Sequence, residues 1–251
     1  MRAALPLKFI LLPATLICTY KTFAQNKSTD SSDNIVSKKN AVSLYHQFVS
    51  PATNLYNGIE YIDYAYTLTE GNPYYTSTGF VKGNVGYNGV LYNNIPVLYD
   101  VLKEEVVIQN PAGQNKIRLH TEEVTSFDLA DHHFEKLTAD SLNRSVIRTG
   151  FYEVLYNNNI SLYKKKTKKI LESTSISEGL KRTIDEQDGY FIRKSNSYYA
   201  VNSKRSLLNC LNDKKKEIQQ FMKKNKLKIR QDKESALIKV VAHYDEIIKS
   251  K

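Results

Sequence analysis

Tryptophan is absent from this chain of 251 residues, cysteine occurs twice, and no apolar run is long and clean enough to cross a bilayer. Each shortage excludes something. Without tryptophan, a carbohydrate-binding platform built on ring stacking lacks its best residue. Of the two cysteines, Cys18 lies in the apolar leader described below, which leaves Cys210 as the single thiol of the remainder. One thiol forms no internal disulfide, so in an oxidising compartment stability rests on packing alone. Nothing beside Cys210 supplies the histidine or helix start that activates a thiol, and it reads as a small apolar residue on a helix face. Catalytic signatures are missing as well: there is no Gly-x-Ser-x-Gly, no His-Glu-x-x-His, no Ser-x-x-Lys set with its partner motifs and no glycine-rich phosphate loop.

What the chain does carry begins with an address. A basic start with Arg2 and Lys8 leads into an apolar stretch from Leu5 to Ile17, interrupted by Pro6 and Pro13 and followed by Lys21. Thr22 and Ala24 put small residues where a signal peptidase reads, so residues 1–24 are expected to be a secretory signal peptide cut after Ala24. The mature protein is then exported, periplasmic or secreted. Thr15 and Ile17 are the wrong residues ahead of Cys18 for lipid attachment. Residues 25–40 have almost no apolar content and read as a flexible leader to the fold.

The formal net charge of +10 is unevenly spread. Residues 1–24 carry +3, residues 204–251 carry +8 from fourteen Lys and Arg against six Asp and Glu, and the middle is close to neutral at −1. An exported address excludes nucleic acid as the intended partner of this tail. It suits an envelope protein or an acidic envelope component, such as anionic head groups or lipopolysaccharide, although a solvated lysine-rich helix face accounts for the same residues.

From residue 41 to 202 the pattern is short alternating runs punctuated by turn residues, which predicts an antiparallel β-meander, a curled sheet or partial barrel. In the central hairpin, residues 80–97, Asn88-Gly89 predicts a type I′ turn that sets Tyr87 opposite Val90 and Val85 opposite Tyr92. Val81, Val85, Tyr87, Val90 and Tyr92 would then face the core, with Lys82, Asn84 and Asn93 in water. A second hairpin, residues 151–165, is expected to turn at Asn157-Asn158-Asn159 with Tyr156 opposite Ile160, aligning Tyr152, Val154, Tyr156, Ile160 and Leu162 and leaving Glu153 and Lys165 on the wet face. Further strands are predicted at 95–101, 105–109, 116–120, 124–129 and 134–137, and at 190–201 folded back near Ser195-Asn196. A Tyr-Asn phrase recurs before turns, as in Leu55-Tyr56-Asn57-Gly58 and Leu91-Tyr92-Asn93-Asn94, but its irregular spacing indicates hairpin chemistry and no propeller or solenoid period.

From Ser203 the texture becomes helical, and residues 203–251 read as a basic amphipathic segment packed on the sheet. Leu207, Leu208 and Leu211 share a side, Ile218, Phe221 and Met222 follow, and Asp232 is placed to cap a last helix whose stripe is Leu237, Val240, Val241, Tyr244 and Ile248. Together the elements give an α+β class, an antiparallel β-meander followed by a C-terminal helical segment.

The candidate chemistry is sparse. In extended backbone, Asp131, His133 and Glu135 point to one side and His120 can join from a neighbouring strand, a set able to seed a metal site or an acid/base pair. The same residues fit the polar tip of a hairpin between 124–129 and 134–137, which needs no special geometry. No cofactor or metal is assigned. Tyrosine is abundant, with eighteen copies, and suits both recognition surfaces and ordinary sheet faces.

The Ala24-Gln25 cleavage edge, the run from Gly89 to Asp100 (Gly-Val-Leu-Tyr-Asn-Asn-Ile-Pro-Val-Leu-Tyr-Asp), the later Gly150-Phe151-Tyr152-Glu153-Val154-Leu155-Tyr156 and the lysine-rich helical end resemble uncharacterised exported proteins of Bacteroidota. The resemblance implies a Gram-negative envelope and carries no activity and no functional residue. Three expectations follow: a non-enzymatic exported module binding a protein or envelope component, an enzyme or metal-binding protein centred on His120, Asp131, His133 and Glu135, or a carrier holding an apolar ligand inside the curl.

Overall fold

A computed structural model describes residues 54–76, 78–110, 115–139, 146–177 and 179–249. The expected signal peptide and the leader at 25–40 lie outside the described residues. Among the described residues eleven strands form one sheet: β1 Ile59–Glu60, β2 Val81–Tyr87, β3 Val90–Asp100, β4 Glu105–Gln109, β5 Lys116–Arg118, β6 Val124–Leu129, β7 His132–Leu137, β8 Gly150–Asn157, β9 Ser161–Ser175, β10 Gly179–Lys194 and β11 Ser197–Ala200. Their spatial order is β1-β5-β4-β3-β2-β6-β7-β8-β9-β10-β11, every pairing between them is antiparallel, and the sheet does not close. After it come α1 Lys204–Cys210, a 3₁₀ turn at Asn212–Lys214, α2 Lys215–Lys224 and α3 Lys233–Lys249. None of the described helices is long and apolar enough to cross a membrane.

Local chemistry sets the hairpins. Asn88 and Gly89 both take positive φ, 50° and 76°, as a type I′ turn requires, and Tyr87 pairs with Val90 and Val85 with Tyr92 as expected. Ser195 and Asn196 repeat the device between β10 and β11 with φ of 48° and 62°. The second predicted hairpin is corrected: Tyr156 faces Leu162 and Asn157 faces Ser161, because the turn falls on Asn158, Asn159 and Ile160, one residue later than expected. A register shift between Val154 and Tyr156 then sets Val154 opposite Tyr163 and Glu153 opposite Lys164. Both faces of β8 and β9 are covered here, so Glu153 and Lys165, expected in water, are buried.

Burial divides into two large cores. The first fills the hollow of the curl with Val85, Tyr92, Val97, Ile108, Phe127, Phe134, Phe151 and their neighbours from β2 through β8. The second joins Ile160, Leu162, Tyr190 and Ile192 to one side of the three helices, with Leu207, Leu211, Ile218, Leu237, Val240 and Val241 all at or below 1 % exposure. Ser203 caps α1 through a reciprocal bond pair with Ser206, and the Asp232 carboxylate accepts from the Ser235 N–H at the start of α3, as its position suggested. Tyr244 and Val241 are buried on the expected stripe, Ile248 is half-buried, and Lys239 and Lys249 are exposed. Asp245 pins α3 to the β8–β9 turn, accepting from the Tyr156 hydroxyl at 2.9 Å and the Asn159 amide at 2.9 Å.

The reading of the sequence did not place β1 or the body of the β9–β10 ribbon. Fifteen residue pairs join those two long strands, from Ser161 opposite Arg193 to Ser175 opposite Gly179. A strap ties the ribbon to the curl: Thr69 N–H donates to the Arg182 carbonyl and Tyr75 N–H to the Tyr99 carbonyl.

Candidate functional site

The expected cluster does not assemble as a unit. Asp131 sits in the turn between β6 and β7, and His133 Nδ1 instead lies 2.6 Å from Asp128, its cross-strand partner. Glu135 shares the face of His133, with its Oε1 3.9 Å from Nε2, and accepts from the Tyr163 hydroxyl at 3.4 Å. His120 lies beyond β5, half-buried and 3.7 Å from Glu122. Among the described residues no three His, Cys, Asp or Glu side chains group as metal ligands would. Cys210 is buried, and that burial pushes its thiol up to about 11, far from thiolate at neutral pH.

A different cluster, between the two cores, is built from residues that the sequence reading left aside or put in water. Its centre is Glu153, which accepts from the Tyr75 hydroxyl at 2.6 Å, pairs with Lys164 at 2.7 Å and meets His132 Nδ1. Lys164 also reaches Glu234 on α3 at 2.8 Å, and the Tyr190 hydroxyl donates to the same carboxylate at 3.2 Å. Burial works to raise the Glu153 carboxyl, but the donors from Lys164, Tyr75 and His132 hold it below its ordinary 4.5. Burial likewise works to lower Lys164, and its two carboxylates hold it above 10.5. Tyr75 is pushed far above its ordinary value by burial and by Glu153, so it stays a proton donor. Lys164 stands between two carboxylates, and it and Glu153 hold each other ionised, an arrangement suited to tying strand β8, strand β9 and helix α3 together and poorly suited to trading protons with a substrate. A signal did exist in the sequence: Glu153 is in phase with Phe151, so a strand covered on both faces had to bury it.

Beyond this seam the protein opens into a cleft of about 980 Å³ walled by the β3–β4 turn, residues 146–152 and the middle of the β9–β10 ribbon. Six cations line it, Lys103, Arg148, Lys165, Lys168, Lys169 and Lys233, against two carboxylates, Glu104 and Asp188. Some are fixed in place. Lys165 pairs with Glu104 and lies 4.9 Å from the centre of the Tyr152 ring, a geometry that Gly150 permits because a Cβ there would meet the Lys165 ammonium and come within 3.2 Å of the Glu104 carboxylate. Lys168 donates to the carbonyls of Asn72 and Tyr74 at 2.9 and 2.6 Å. The Tyr152 hydroxyl bonds the Arg148 backbone at both its carbonyl and its N–H, which anchors the residue while its guanidinium stays exposed. Arg148 and Lys169 are exposed and have no carboxylate partner among the described residues.

Neither a family model, nor a curated protein, nor a solved structure matches this chain. The physical description of the cleft and the seam is therefore the basis for a functional reading.

Proposed function

We propose that the protein is a non-enzymatic exported module of the cell envelope that binds an acidic envelope component in the cleft between the curl and the β9–β10 ribbon. The observation that carries this reading is the excess of six cations over two carboxylates in a concave site whose walls are hydrogen-bonded strands. The groups with acid/base capacity support it indirectly: Glu153, Lys164 and His132 hold one another, and His133 is engaged by Asp128. The carrier alternative would need an apolar hollow. Inside the curl the space beside Tyr75, Val97 and Tyr99 is about 10 Å³, on the order of a single water. The export half of the reading rests on the leader at residues 1–24 and is checked by the N-terminal residue of the protein recovered from the envelope, expected to be Gln25. The binding half is checked by passing purified envelope fractions over the immobilised protein and over an Arg148→Glu, Lys169→Glu variant. Retention of an acidic component that the variant loses is expected. Equal retention by both would place binding elsewhere.

A further inference from the structure

The cleft does not end at the sheet. Asn202 and Lys233, which line it, also line a second concavity of about 1130 Å³ between the start of α1, the end of α2 and residues 227–231. Lys204 and Arg205 from this second concavity in turn line a third, of about 370 Å³, between α1 and α2. The three hollows share lining residues and lie side by side as a track. The second is walled by Lys204, Arg205, Lys228, Arg230 and Lys233 with no carboxylate, and the third adds Lys215. Lys204, Arg205, Lys215, Lys228 and Arg230 are exposed, and among the described residues none of them is paired with a carboxylate. Elsewhere in the helical segment Lys214 pairs with Glu217 and Lys249 with Asp245, whereas Lys216, Lys223, Lys224, Lys226 and Lys239 have no carboxylate partner among the described residues. Along the track six cations, Lys204, Arg205, Lys215, Lys228, Arg230 and Lys233, line hollows that have no carboxylate in their walls.

We infer that this track is a binding groove for a linear acidic polysaccharide, a chain of uronate or similarly charged sugars laid from the β9–β10 ribbon across α1 and α2. The inference rests on the binding-module reading and names its ligand. A groove with successive unpaired cations matches an extended polyanion better than a flat bilayer surface or a single small anion. Between the cations stand Asn202, Asn209, Gln219 and Gln231, amides without a partner among the described residues, each offering donors and an acceptor to hydroxyl-bearing units. Single-stranded nucleic acid is disfavoured because bases need open aromatic faces, and the aromatic rings on the track, Tyr152 and Phe191, meet each other edge-on at 5.6 Å. Absence of tryptophan counts against recognition by stacking, and charge-led recognition of an acidic chain does not depend on it.

The test is a binding titration of the exported protein with polygalacturonate at low ionic strength, beside a neutral glucan, polyglutamate, a single-stranded oligonucleotide and phosphatidylglycerol vesicles. Saturable, salt-sensitive binding of polygalacturonate with no binding of the glucan is expected. Lys204→Ala with Arg205→Ala, which removes the two cations shared by adjoining hollows, should weaken it about tenfold. Lys216→Ala with Lys224→Ala removes the same charge from exposed positions off the track and should change affinity less than about twofold. Equal loss in both pairs would show a general charge effect and overturn the groove, and tighter binding of polyglutamate or the oligonucleotide would overturn the ligand class. Binding of vesicles without polygalacturonate would overturn the groove's ligand while leaving the binding module intact. Failure of all four anionic probes, together with no retention of any envelope fraction, would overturn both.

Discussion

In the curl, Phe127 stacks on Phe134 with ring centres 4.7 Å apart, and Tyr75, Tyr99 and Phe151 close around them edge-on, so strands curving toward one another bury their own inner face. In the C-terminal half, Leu162, Tyr190 and Ile192 face no opposing strand and are buried only because Leu237, Val240 and Val241 of α3 and Leu207 of α1 come down on them. The same alternation of side chains is thus buried in two ways: strands β2 to β8 pack on one another across the hollow, whereas β9 and β10 are covered by a second layer of helices. The second solution has a by-product. Helices laid on a sheet leave hollows at their ends, and here those hollows carry the tail's cations.

How tightly the two cores depend on each other can be broken open by mutation. The largest effect is expected from Val241→Asp, which puts an unpaired carboxylate at a position with 0 % exposure and should cost about 3–5 kcal/mol. Thermal unfolding of the variant, followed by near-ultraviolet circular dichroism for the tyrosines of the curl and far-ultraviolet signal for the helices, should show one lowered transition. Two separated transitions would mean that the cores are independent. Next comes the seam. Glu153→Gln leaves Lys164 with Glu234 alone and should cost about 1–3 kcal/mol. Because the Glu153 carboxyl is held below 4.5 in the fold, its contribution is complete above that value and is lost as pH falls through the lowered one. The variant should accordingly lose less stability than the parent as pH drops below 4.5, and parallel pH curves from urea titrations would remove Glu153 from the acid response. The smallest effect is Gly89→Val. No atom lies within 4 Å of the added Cβ, so only the backbone at φ 76° resists, at about 1 kcal/mol in chemical denaturation, and a variant as stable as the parent would contradict the turn.

Much of this architecture is legible in the residues. Asn88-Gly89 set a register because only one turn type accepts two positive φ values in succession, and the α3 stripe from Leu237 to Tyr244 announced a buried face. The β9–β10 ribbon was not legible by alternation, since residues 164–169 hold five lysines and give no apolar period. Its pairing was written instead in opposite charges: Lys166 stands across from Asp188, Lys168 from Glu186 and Glu172 from Arg182. The candidate site escaped for a related reason. Asp131, His133 and Glu135 drew attention as neighbours in sequence, whereas the cleft is assembled from the β3–β4 turn, β8, β9, β10 and the start of α3, whose nearness is a property of the sheet order.

If the helical segment is an integral layer of the fold, held by the second core and by the Glu153–Lys164–Glu234 seam, its cations keep fixed positions. Native-state hydrogen exchange tests this most directly. Amides of Val240, Val241 and Tyr244 should exchange with the same free energy of opening as those of Val107 and Phe127 in the curl, all through global unfolding. Exchange of the α3 amides through an opening several kcal/mol cheaper than that of the curl would make the helices a detachable arm and contradict the claim.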